Sequence, residues 1–349
     1  MNDTSHVTGS GRAGGRATRR PIPLDSRRLV EFAPLVPGAM LPIVARPLVS
    51  ELALPEWMER NRDECNRHLL AHGALLFRGF RPVSTEEFER LLCAFSGELM
   101  HYTYGSTPRQ VVAGRIYTST EYPADQSIPL HNEMAYARRW PMVLGLACMI
   151  TPTWGGETPI ADSRRILARI PTKIRERFAR TGVMYVRTYG AGLDLSWQST
   201  FQTDDRTQVE AFCRAGGIEY EWIGADGLRT RQVCQGIATH PRTGEPVWFN
   251  QAHLFHASNL DPGTRALLAE DVGPDALTRD ALHGDGTPID TAELEAIRAV
   301  LRAEAVHFSW SRGDVLLLDN MLVAHGRQPF RGSRRIVVGM NQPHGDPNG

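Results

Sequence analysis

Apolar residues fall mostly in short blocks separated by Gly, Pro, Asn and Asp, the pattern of brief strands joined by turns. Residues 144–150, 183–189, 247–250, 314–319 and 335–340 are such blocks, and each predicts a strand. Residues 218–223 and 228–232 flank Gly224-Ala225-Asp226-Gly227 and predict a hairpin. Helical spacing is less frequent. One helix is expected from Pro55 to Ala71, stopped by Gly73, with a short strand at 74–77 behind it. Ser84 with Glu87 three residues on forms a capping box that opens a helix to about Phe95. Further helices are predicted at 164–169 and 172–180, divided by Pro171. Two more run from a cap at Asp204 or Asp205 to Gly216-Gly217, and from Asp290 to about Ala303.

Strands and helices do not alternate regularly, which disfavours a parallel α/β sheet. Many short strands, with helices inserted and gathered towards the N-terminus, predict a mainly β fold with flanking helices: a jelly roll, or double-stranded β-helix. Residues 1–20 carry almost no large apolar side chain and are expected to form a disordered arm. Neither a repeat nor a linker divides residues 21–349, which are expected to be a single domain. An apolar content of 42% is ample for a core, and a formal net charge of zero gives no reason to expect nucleic acid as a partner. Five scattered Cys without a paired spacing suit a reducing cytoplasm, and no apolar run approaches the length of about 18 residues that spans a membrane.

The candidate chemistry lies in Leu130-His131-Asn132-Glu133-Met134. On an extended strand His131 and Glu133 share a face, because side chains alternate. Twelve His and 39 acidic residues give roughly one such His-x-acid pair by chance. The chain has three, so context must choose. His344/Asp346 has no later His to complete a set, and His283-Gly-Asp285-Gly-Thr-Pro reads as a turn. His131/Glu133 follows a strand-like run and precedes His325, expected on a loop between the strands at 314–319 and 335–340. Two His, a carboxylate and open positions describe a non-haem Fe(II) oxygenase site. A 2-oxo acid filling two of those positions, with O2 in the third, would need a cation for its far carboxylate, and Arg334 and Arg335 are the candidates. Asp319 and Asn320 could orient the ligands from behind. A Zn hydrolase could use the same three ligands.

Four stretches in order, His131-Asn-Glu-Met-Ala-Tyr, Gly155-Gly-Glu-Thr, Trp248-Phe-Asn-Gln, and Asp314-Val-Leu-Leu-Leu-Asp-Asn through Arg334-Arg-Ile, make the chain resemble a known family. It is similar to the taurine dioxygenase and clavaminate synthase-like Fe(II)/2-oxoglutarate oxygenases over roughly residues 30 to 343. The resemblance implies His131, Glu133 and His325 as iron ligands, with Thr158 and Arg335 on the 2-oxoglutarate carboxylate. It implies oxidative decarboxylation of 2-oxoglutarate to succinate and CO2, coupled to oxidation of a second substrate. Taurine-type members carry a further Arg four residues after the cofactor arginine; counted from Arg335 that position is Gly339, which argues against taurine. Retention of Glu133 argues against halogenation. Members with these motifs resemble hydroxylases of amino acids, free or carrier-protein-tethered, in natural-product biosynthesis. Ser127, Asn250 and His253 are the candidates for substrate contact, with His253 and His256 open to a structural reading and Trp248 and Phe249 expected in the core. Desaturation, cyclisation or a non-catalytic barrel would leave the same signature.

Overall fold

The computed structural model describes residues 26–101, 104–106, 109–119, 122–190, 195–260, 263 and 278–345. The expected N-terminal arm, residues 1–20, lies outside them. An eight-stranded sheet forms the frame, in the spatial order Val30–Pro34, Ile43–Pro47, Ala74–Phe77, Val315–Asp319, Trp140–Ile150, Arg335–His344, Ile116–Thr118, Val111–Ala113. Ile43–Pro47 and Ala74–Phe77 run parallel; the other pairings within this sheet are antiparallel.

Both faces of this sheet are covered, and the alternation of each strand decides which side chain goes where. Ala74, Leu76, Leu316, Leu318, Ile336, Val338 and Met340 enter one core cluster. Their neighbours Leu75, Phe77, Val315, Leu317 and Val337 enter the other. The second cluster is sealed by N-terminal helices. Thr85–Ser96 begins with both bonds of the predicted capping box and buries Phe88, Leu91, Leu92 and Phe95 at helical spacing. Burial of each such side chain stabilises the fold by about 1.5–3 kcal/mol. Gly145 and Gly339 face each other across two strands, and a Cβ on either would come within 2.5 Å of Leu92. Their lack of a side chain lets the helix seat on the sheet.

The first cluster lies between the large sheet and two smaller ones. One has Val323–Arg327 at its centre, flanked by Ile128–His131 and Ile160–Asp162; the other runs Glu219–Ile223, Gly227–Cys234, Val183–Tyr189, Arg279–His283. Several expectations need correction. The helix expected at 55–71 is two, Leu54–Arg60 and Arg62–His72, broken at Asn61, whose side-chain amide donates to the Trp57 carbonyl at 2.7 Å. His325 is not on a loop: it sits on the wholly buried strand Val323–Arg327, paired on both sides. Glu133 is not on the strand with His131 but in the turn after it. No helix among the described residues is long and apolar enough to cross a membrane.

Candidate metal centre

The central strand of the three-stranded sheet sets His325 directly opposite His131 in the antiparallel register. Their rings lie 4.6 Å apart, centroid to centroid. Glu133 then folds back from the turn. One ligand atom from each of His131, Glu133 and His325 lies within 4.8 Å of the others, the sole such cluster found among the described residues. Residues far apart in sequence are thereby brought into reach of one ion.

The donor set fits a divalent metal. His131 Nδ1 is 2.8 Å from the Pro129 carbonyl. A carbonyl only accepts, so Nδ1 carries the proton and Nε2 keeps its lone pair. His325 Nδ1 is buried with no hydrogen-bond partner among the described residues. Burial holds both imidazoles below their ordinary pKa, His325 well below it. They are therefore neutral near pH 7, the form that coordinates metal.

Amide side chains fix the segment that carries His131 and Glu133. Asn320, fully buried, accepts from the Glu133 backbone N–H at 2.7 Å and donates to the Glu133 and Pro141 carbonyls at 2.9 and 2.8 Å. Asn132 donates to the Asn320 carbonyl at 2.6 Å and to Ser163 Oγ at 3.1 Å, while Gln251 Nε2 donates to the Asn132 carbonyl at 2.6 Å. Asp319 caps the turn before the His325 strand, accepting from the Met321 and Leu322 N–H groups. Its other oxygen accepts from His240 Nε2 at 3.0 Å, with His240 Nδ1 itself taking backbone N–H bonds from Arg242 and Thr243.

A small cavity of about 40 Å³ adjoins the cluster, lined among others by Arg109, Thr158, Arg334 and Val338. Thr158 is buried, and its hydroxyl accepts from Trp310 Nε1 at 3.0 Å. Arg334 donates to the Gly156 carbonyl at 3.1 Å and lies 5.6 Å from the Phe330 ring centroid. A Cβ on Gly156 (φ +74°) would press on its stem at 3.0 Å, so this glycine makes room for it. Burial, then the neighbouring Arg327, lowers the Arg334 guanidinium to about 10. Arg335 is exposed and does not line the cavity. The reason is alternation: Arg334 shares the face of Ile336, Val338 and Met340, and Arg335 the opposite one. The position four residues after the inward arginine is accordingly Val338, not Gly339.

The expected substrate contacts do not reach this cavity. Asn250 is buried, donates to the Gly236 carbonyl at 2.7 Å and accepts from the Ala252 N–H. His253 is 2.9 Å, through Nε2, from the carbonyl of Leu130, so it supports the strand bearing His131. Burial pushes its pKa down to about 3. Exposed Ser127 lines, with His253, a separate space of about 420 Å³ that none of the three clustered residues borders. His256 caps the turn at Ser258, and Trp248 and Phe249 are core residues. A larger cleft of about 780 Å³ begins at Met134, next to Glu133, and includes Tyr104, Arg115 and Arg138. Met134 and Tyr104 both hold positive φ, 57° and 59°, a conformation that non-glycine residues adopt at a cost.

Arg109 and Trp310 were not singled out by the sequence. Arg109 Nη2 donates to Glu133 Oε2 at 2.6 Å, a contact between chain segments that no local pattern encodes.

The chain is 38% identical over 311 residues to the dapdiamide synthesis protein DdaC of Enterobacter agglomerans, covering 89% of this chain and 94% of that protein. It is 32% identical over 333 residues to a clavaminate synthase-like protein of Arabidopsis thaliana, covering 92% and 97%. The crystal structure of PvcB from Pseudomonas aeruginosa superposes with a TM-score of 0.53 at 16% identity, over 89% of this chain and 90% of that one, a likeness of fold. The family model for the taurine catabolism dioxygenase TauD, TfdA family matches residues 31–341. The chain belongs to the TauD/TfdA family of Fe(II)- and 2-oxoglutarate-dependent oxygenases.

Proposed function

We propose that the protein hydroxylates an amino acid or amino-acid-derived substrate, free or carrier-protein-tethered, in natural-product biosynthesis. In this reading His131, Glu133 and His325 hold Fe(II), and the fold around them is a double-stranded β-helix. The observation that carries it is the convergence of two neutral imidazoles and a carboxylate within 4.8 Å, beside a cavity that offers Thr158 and Arg334. When bound, the metal with 2-oxoglutarate and O2 supplies the oxidation of a C–H bond, with succinate and CO2 as co-products.

The protein's own residues bind and orient. Arg334, cationic at neutral pH and half-buried, is the partner we assign to the far carboxylate of 2-oxoglutarate, replacing Arg335. The Thr158 hydroxyl, with one lone pair taken by Trp310, is left free to donate to the same carboxylate. Val338, apolar where taurine-type members place a second arginine, gives no support to a sulfonate substrate. The cleft beginning at Met134 is our candidate path for the prime substrate. The described cysteines are unpaired, and four of the five are buried, which suits the reducing cytoplasm we propose as its setting.

Similarity to DdaC, named for dapdiamide synthesis, supports the amino-acid-derived class. The test is a mass-shift screen with purified protein, Fe(II), ascorbate and 2-oxoglutarate, against amino acids offered free and as carrier-protein thioesters. A gain of one oxygen on a member of either set is the expected result. A loss of two hydrogens instead would replace hydroxylation by desaturation or cyclisation. Absence of succinate under all conditions would overturn the oxygenase reading.

A further inference from the structure

Arg109 reaches the cluster from the segment that precedes the Val111–Ala113 strand. Its guanidinium and the Glu133 carboxylate are 2.6 Å apart, with side chains 4% and 5% exposed. An ion pair this deep in the protein costs desolvation that its attraction often fails to return, so it is weak evidence for a contribution to stability alone. Its position suggests a different use. Arg109 Nη2 holds Oε2 of this carboxylate, and one carboxylate oxygen lies within 4.8 Å of a nitrogen of each imidazole.

The chemistry makes the choice of oxygen matter. A hard divalent ion with oxygen and nitrogen donors has six positions. Three protein atoms, two atoms of a 2-oxo acid and one of O2 fill them. A carboxylate that used both of its oxygens would leave one position too few. Glu is the residue for which this is a real hazard, because its extra methylene gives the carboxylate more freedom than Asp has. A charge-assisted hydrogen bond between buried partners removes that freedom.

We propose that Arg109 is a positioning residue that restricts Glu133 to a single-oxygen contact with the metal, keeping open the position that the 2-oxo acid or O2 must take. This rests on the iron reading above. It goes beyond that reading by assigning the open coordination position to an arginine outside the ligand set.

The test uses Co(II) in the full-length protein, where d–d absorption reports coordination and no turnover is needed. For Arg109→Gln we expect an altered Co(II) spectrum and about 10- to 100-fold weaker 2-oxoglutarate binding, with Arg109→Lys recovering part of both. An unchanged spectrum together with unchanged 2-oxoglutarate affinity in Arg109→Gln would overturn the proposal. Should that variant fail to fold, X-ray absorption on the wild-type Co(II) protein decides. One Glu133 oxygen at the metal upholds the proposal, and two overturn it. Wild-type protein that takes up no Co(II) would instead overturn the iron reading, and this proposal with it.

Discussion

Replacing Arg334 by Met, and separately Arg335 by Met, sets the structure against the simple motif match. Met keeps an unbranched stem, so packing against Phe330 is largely retained while the charged fork is lost. At pH 8, a guanidinium whose pKa is about 10 is neutral in only about one molecule in a hundred, so the wild type presents a full cation to the cavity. Truncating one partner of a buried, hydrogen-bonded charge pair costs about 2–5 kcal/mol. Two charged hydrogen bonds at about 1.5–3 kcal/mol each give a similar figure. At about 1.4 kcal/mol per tenfold, a loss of 3–5 kcal/mol is between about a hundredfold and a few thousandfold in 2-oxoglutarate affinity. Arg335 is exposed, and pairs of exposed charges contribute about 0–1 kcal/mol, at most about a fivefold effect. Titration calorimetry of 2-oxoglutarate into Mn(II)-loaded protein without O2 measures both. Equal losses in the two variants, or a larger one for Arg335→Met, would refute the argument from strand alternation.

Asn320→Ala removes three hydrogen bonds from a fully buried site, at about 1 kcal/mol each, and leaves the Glu133 N–H without its acceptor. We expect a stability loss of about 3–5 kcal/mol by denaturant titration and about 10- to 100-fold weaker Co(II) binding; unchanged metal affinity would remove Asn320 from the site. Trp310→Phe removes the donor to Thr158 Oγ1 and should weaken 2-oxoglutarate binding about fivefold, for one hydrogen bond of about 1 kcal/mol, with little change in metal affinity. His253 has a folded-state pKa of about 3 and an unfolded one near 6.5, so between these values the unfolded chain binds the extra proton. Stability should therefore fall as pH drops from 6.5 towards 3, by about 1.4 kcal/mol per pH unit from this residue, and His253→Gln should flatten that slope. An unaltered slope would contradict the assignment. Chelation should lower the melting temperature, because an ion present at about a hundred times its Kd stabilises the fold by about 2.7 kcal/mol; identical melting with and without chelator would count against a metal at this site.

What could be read from the sequence was what its signals hold locally. The Ser84–Glu87 box and the alternating 183–189 run reappear as the Thr85–Ser96 helix and the Val183–Tyr189 strand because each depends on residues close together in the chain. The break at Asn61 had no Pro or Gly to announce it. The strand Val323–Arg327 contains His, Gly and Arg and looks like a loop, yet pairing on both sides buries it, with Arg327 donating to the carbonyls of Tyr122 and Gln126 at 2.9 and 2.7 Å. Tertiary pairing overrode propensity there. Arg335 departs from expectation for a different reason, being exposed and outside the cavity lining. Matching a motif gave it weight, although the period of two through Ile336, Val338 and Met340 already marked Arg334 as the inward arginine. Arg109 was illegible on any local rule, since it meets Glu133 from an irregular segment.

The two motifs His131-Asn-Glu and Trp248-Phe-Asn-Gln are joined by one bond, Gln251 to the Asn132 carbonyl, and that bond explains why the second belongs to the site without touching the cavity. The groups gripping the 130–133 backbone are Asn320, Gln251 and His253, with Asn132 anchored in turn on Ser163. All of them are neutral, His253 because its pKa is so low. This follows from electrostatics. At an effective dielectric of 20, a unit charge 8 Å away still acts with about 2 kcal/mol, as much as the contacts meant to discriminate a bound anion. Neutral amides fix the backbone with donors and acceptors of both kinds and leave the field in the cavity to Glu133 and to Arg109, Arg327 and Arg334. The amides thus supply rigidity without adding charge, while Arg109 supplies both to Glu133.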